Sequence, residues 1–160
     1  MIVFVYVKYK QFVAEPQNEN EPQNLDQKIY TYNGIDEPRT DNFSIDEFKC
    51  HNGTEVPKNH YGNVYKLMQN LQVLRDYIGL PIHINSGYRT PSYNKSIGGA
   101  PASKHLLSQA ADIRVVGMSA ENVREKILYL IQEGKMHNGG LGSYSNFTHY
   151  DVSVSRRWNG

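Results

Sequence analysis

The chain has 160 residues, 39% of them hydrophobic, with 17 Lys and Arg against 16 Asp and Glu and a single cysteine. That length supports one domain with its own core, and the lone Cys50 excludes an internal disulfide framework and any cysteine-rich zinc knot. A formal net charge of +1 argues against a dedicated nucleic-acid binder, although residues 1–60 carry 6 basic and 10 acidic side chains and residues 61–160 carry 11 and 6, a basic half that favours an anionic polymer such as a cell wall.

The longest uninterrupted apolar run, residues 2–7, falls far short of the ~20 residues of a membrane-crossing helix and below the roughly 7–15 of an export-signal core. Neither is expected. Its alternation of β-branched and aromatic residues predicts a strand instead. Residues 14–27 hold two prolines and one large apolar residue, Leu25, and read as a polar linker. A second short strand is expected over 29–32, ending at the Asn33-Gly34 turn. Residues 1–41 are thus expected to be a strand and linker segment, and residues 42–160 the functional domain.

Ser44 followed by Glu47 has the form of a capping box and predicts a helical turn. From Tyr61 to Ile78, apolar residues recur at spacings of three and four, the period of an amphipathic helix, which Gly79 ends and Pro81 keeps from resuming. Strands are expected at 81–85 and 110–116, the second ending at Gly117. Ser119 is positioned to cap another helix, with Val123, Ile127, Leu130 and Ile131 as its apolar stripe and Gly134 as its stop. A glycine-rich stretch at 139–144 precedes a last strand over 147–154. Short, turn-linked strands mixed with helices imply an α+β fold.

Six histidines are present, and most need no special role. Two have an acidic companion. His105 precedes Asp112 by seven residues, and Asp112 opens an apolar strand where an unpaired charge is costly to bury. His149 and Asp151 stand two apart in a strand, so both project from one face. Catalytic zinc takes three ligands from His, Asp, Glu or Cys and leaves one position open. His105, Asp112 and His149 supply such a set, although that spacing alone also arises by chance.

Taken together, Ser86-Gly87-Tyr88-Arg89-Thr90-Pro91, Asn94, Gly98-Gly99-Ala100, Ser103-x-His105, Ala110-Ala111-Asp112-Ile113 and Phe147-x-His149-x-Asp151 resemble the zinc D-Ala-D-Ala metallopeptidases that trim or cut peptidoglycan stem peptides. Residues 43–48 and the closing Arg157-Trp158 are similar too, so the resemblance covers about residues 42–158. It implies a small antiparallel sheet with flanking helices, one zinc ion held by His105, Asp112 and His149, and a peptidoglycan peptide as substrate. Arg89 corresponds to an arginine held near the substrate, where it pairs with a carboxylate or polarises the scissile carbonyl. Tyr88 and Ser103 are the neighbouring substrate-binding candidates. Some branches carry an acid or histidine shortly before the last histidine ligand. Here Asn146 stands three residues before His149, and an amide cannot accept a proton from water. Asp151 is then the expected proton acceptor, with orientation of His149 as its competing role. Lys104 and Ser108 depart from frequent Gln and Gly without removing a ligand.

Within that group the chain most resembles short single-domain proteins of bacteria and bacteriophages, some of them endolysins or virion wall-cutting proteins. The resemblance implies action on the cell wall from the host cytoplasm at lysis or from a virion, among phage virion proteins. The alternative is a structural or wall-binding module that kept the peptidase fold without turnover.

Overall fold

The computed structural model describes residues 31–32 and 35–160, with side chains from Glu37 onward. The strand expected at 2–7 and the linker at 14–27 lie outside the described residues. Strand β1 (Thr31–Tyr32) pairs antiparallel with β2 (Ile35–Asp36), Tyr32 opposite Ile35. The capping box forms a 3-10 turn over Ile45–Phe48, in which the Ser44 backbone N–H donates to the Glu47 carboxylate at 2.8 Å.

Helix α1 spans Tyr61–Ile78, as its periodicity predicts. Val64, Leu67, Met68, Leu71 and Leu74 form its fully buried stripe, and Gly79 terminates it in the left-handed conformation. Strand β3 (Ile82–Ser86) follows, then the short helix α2 (Pro91–Ser96), started by the Thr90 hydroxyl accepting from the Tyr93 N–H. A 3-10 turn at Lys104–Leu107 leads into β4 (Ala110–Val115). Helix α3 (Ala120–Gln132) is capped by Ser119, whose hydroxyl accepts from the Asn122 N–H. Strands β5 (Gly140–Ser143), β6 (Thr148–Asp151) and β7 (Arg156–Asn159) complete the chain.

The five longer strands form one sheet in the order β3-β4-β6-β5-β7, antiparallel except for the parallel pair β5–β7. The expected all-antiparallel sheet therefore gains one parallel edge. The glycine-rich 139–144 stretch supplies a strand, the strand expected over 147–154 stops at Asp151, and β7 is a further strand beyond that range.

One face of the sheet sends Ile113, Val115, Leu141 and Tyr150 into the apolar core shared with α1 and α3. On that side the Thr148 hydroxyl donates to the Ala120 carbonyl at the start of α3. The register builds the opposite face. Ser86 faces Asp112, Asp112 faces His149, His149 faces Gly142, and Gly142 faces Trp158, a continuous row across all five strands. The adjacent row runs Ala110, Asp151, Gly140, Arg156. Because directly opposed residues project from the same side, pairing alone gathers the polar residues of four strands.

Candidate functional site

Asp112 and His149 meet through this register, and His105 arrives from the 3-10 turn just before β4. That turn ends at Ser108, a buried non-glycine residue at φ 54° whose hydroxyl lies 3.2 Å from His60 Nδ1. The left-handed conformation explains why glycine suits this position. His60 is a supporting residue that the sequence pattern did not reveal.

The atoms His105 Nε2, Asp112 Oδ1 and His149 Nδ1 converge. Their separations are 3.3 Å between the two imidazoles, 3.3 Å from His105 to Asp112 and 2.9 Å from His149 to Asp112. Each is oriented from behind. His105 Nδ1 donates to the Gly87 carbonyl at 2.7 Å, which leaves Nε2 as a bare lone pair. Asp112 Oδ2 accepts from Arg89 Nη2 at 2.6 Å, which leaves Oδ1 for the cluster. His149 Nε2 faces Asp151 Oδ2 at 3.2 Å.

Three buried acceptors aimed at one point repel unless a positive charge sits among them. A metal with tetrahedral bonds of ~2.0–2.1 Å spaces its ligands roughly 3.3 Å apart, so the separations here suit such an ion. These three residues are the group among the described residues able to hold a metal. Without a metal, a proton on His149 relieves the repulsion. Burial lowers the His149 pKa, but its bonds to Asp112 and Asp151 outweigh that and raise it above the ordinary value. For His105 burial prevails and lowers the pKa. Burial pushes Asp112 up, yet its bonds to His105 and His149 hold the carboxyl well below the usual range.

The sign of a pH effect follows. Binding a cation requires neutral His149, and its raised pKa means that a proton must leave at a pH above the ordinary imidazole value. Cation affinity should therefore climb as pH rises from about 6.5 through that raised value, by up to ~10-fold per unit, with proton release. Calorimetry in buffers of different ionisation enthalpy measures both.

The cluster opens into a cavity of about 460 Å³ lined by Arg89, Ser103, Lys104, Tyr144, Phe147 and Trp158 among others. Arg89 and Ser103, two of the expected substrate-binding residues, are thus among its lining residues. Tyr88 is not: it is 7% exposed, part of the core cluster, and meets the His60 ring edge-on. Asn146 lines a different cavity, of about 520 Å³, beyond the end of β4.

Asp151, the residue expected to accept a proton, does not line the cluster's cavity either. It is 0% exposed and lies behind His149, away from the cavity lining. Its Oδ1 accepts from the Gly140 N–H, the Ser153 N–H and the Ser153 hydroxyl, and its Oδ2 from His149 and Arg156 Nη2. Burial raises the Asp151 pKa, but the bonds from His149 and Ser153 and the charge of Arg156 more than reverse that and hold it well below the ordinary range. Both oxygens are engaged on the side of His149 remote from the cluster.

The family profile of Peptidase M15 matches residues 41–151. The peptidoglycan L,D-endopeptidase MepK of Escherichia coli (strain K12) is 34% identical over 101 residues, covering 58% of this chain and 52% of the relative. The zinc D-Ala-D-Ala carboxypeptidase of Streptomyces albus G is 38% identical over 52 residues, 32% of this chain and 20% of the relative. The chain spans about half the length of the MepK relatives that it matches. With the matched segment running from the first 3-10 turn through both histidines to Asp151, the chain belongs to the Peptidase M15 family.

Proposed function

We propose that this chain is a zinc peptidase that hydrolyses peptide bonds in the stem or cross-link peptides of peptidoglycan, in the setting of a bacteriophage endolysin or virion-associated wall hydrolase. The observation that carries the reading is the convergence of His105 Nε2, Asp112 Oδ1 and His149 Nδ1, each held from behind and none free to donate to the others in its neutral form.

His105, Asp112 and His149 would hold the ion. When bound, zinc acidifies water to a pKa of roughly 7 and polarises a carbonyl. The remaining roles belong to the protein. Arg89 fixes Asp112 through Nη2 and is itself fixed by Nε donating to Ser86 Oγ at 2.9 Å, so the carboxylate presents one oxygen only. Asp151 orients His149 and keeps its Nε2 protonated, a positioning role and not proton acceptance. Arg89, Lys104 and Arg156 face one lining carboxylate, Asp112, and that excess of positive charge suits a peptide bearing free carboxylates. Ser103 on the same wall offers a hydroxyl to the peptide backbone.

Metal analysis of the purified protein should find one zinc per chain. Purified sacculi should release cleaved peptides with it, and a chelator should stop that release. Absence of zinc, or cleavage indifferent to chelator, would overturn the reading. Sacculus binding without release, from zinc-loaded protein, would favour the wall-binding module.

A further inference from the structure

We propose that the C-terminal strand β7 sets the position of His149, with Arg156 and Trp158 as positioning residues; this rests on the metal-site reading above. In the sheet β7 does not touch β6, since β5 lies between them. Its side chains nevertheless reach across. Arg156 Nη2 donates to Asp151 Oδ2 at 2.5 Å, the oxygen that also faces His149 Nε2. The Trp158 ring lies against the His149 ring, with centroids 5.0 Å apart and planes tilted by 59°. The Arg156 guanidinium stands 5.2 Å from the Trp158 ring centroid, so the two contacts brace each other.

The crossing is possible because β5 presents no side chain on this face. Gly142 stands opposite both His149 and Trp158, and a Cβ there would lie 2.7 Å from the indole ring. Gly140 stands opposite Asp151 and Arg156, and a Cβ there would lie 2.7 Å from Asp151 Cγ and 2.9 Å from Arg156 Nη2. Two bare positions at a spacing of two thus form a trough, and β7 lays its arginine and tryptophan across it onto β6. The parallel β5–β7 pairing supplies that register. The His149 ring is therefore held on its outer side by a carboxylate and an indole, both steadied by a strand that contributes no cluster atom.

Zinc affinity by chelator competition, and the visible spectrum of the cobalt-substituted protein, test this on the full chain. Arg156→Gln is the main variant; the side chain is 42% exposed, so the fold should tolerate it. Arg157→Gln is the control, because Arg157 bonds to Gly139 and Asn138 and touches neither Asp151 nor His149. Arg156→Gln should weaken zinc binding by about 10–100-fold and shift the cobalt bands. Arg156→Lys should recover part of the loss, and Arg157→Gln should bind as wild type. Trp158→Leu should weaken binding by about 10-fold, with Trp158→Phe intermediate, and carries the test should Arg156→Gln unfold. Wild-type affinity and spectrum in Arg156→Gln or Trp158→Leu would overturn the inference, as would equal losses in Arg156→Gln and Arg157→Gln, which indicate only a weakened strand. A wild-type protein that binds no zinc would overturn the metal-site reading itself and this inference with it.

Discussion

His105→Ala is expected to abolish zinc binding and to lower peptidoglycan hydrolysis by at least ~10³-fold, because two ligands from the sheet cannot retain the ion that the reaction depends on. The loss should come with a modest fall in stability. His105 is 2% exposed, and its Nδ1 supplies a hydrogen bond to the Gly87 carbonyl; leaving that carbonyl unpaired costs about 1–3 kcal/mol. Metal content, sacculus digestion and thermal unfolding of the metal-free protein separate the effects. His51→Ala is the matched comparison, since His51 is exposed, bonds to the Asn85 carbonyl and stacks on Tyr93 outside the cavity lining. Zinc retained by His105→Ala at wild-type affinity would remove the cluster from consideration as the metal site.

Asp151→Asn carries the second large effect, and it discriminates between two roles for one residue. A proton acceptor replaced by its amide loses turnover while zinc binding stays intact. A positioning carboxylate instead loses affinity, by about 10–100-fold, and saturating zinc restores much of the rate. The geometry supports the second outcome, because Asp151 is fully buried behind His149 and accepts five hydrogen bonds from Gly140, Ser153, His149 and Arg156. Stability should fall by about 1–3 kcal/mol. The change strips the charge from a pair whose acid is buried but whose arginine is 42% exposed, a case between a surface and a buried ion pair. Zinc titration followed by sacculus digestion at saturation reads both quantities. Unchanged zinc affinity with digestion lost at saturation would return Asp151 to the proton-transfer role.

Much of this was legible in the sequence where one periodicity dominates. The 3.6-residue stripe of α1, its glycine stop and the Ser119 cap of α3 are local signals, and local chemistry decided them. The alternation that puts His149 and Asp151 on one face is equally local. Pairing was not legible. Strand β5 carries two glycines in four residues, which reads as a loop by propensity, yet those glycines are present because neighbouring side chains occupy the space above them. Helix α2 has six residues and starts at a proline, too short to show a period. The surroundings of Asp151 were hidden for the same reason. Shared facing with His149 is visible in the sequence, but the donors that occupy the Asp151 oxygens include Gly140 of β5 and Arg156 of β7, which only the fold brings beside it. Tyr88 sits beside Arg89 in the chain, and adjacency in a loop says nothing about which of two neighbours turns inward.

The bare positions of β5 separate sensitivity to mutation from participation in chemistry. A systematic substitution survey of this domain would flag Gly140 and Gly142 as strongly as the histidines, since any added carbon evicts the indole or the guanidinium that steadies His149. Neither glycine contributes an atom to the cluster, so what such a survey would register at these two sites is emptiness kept open for someone else's side chain.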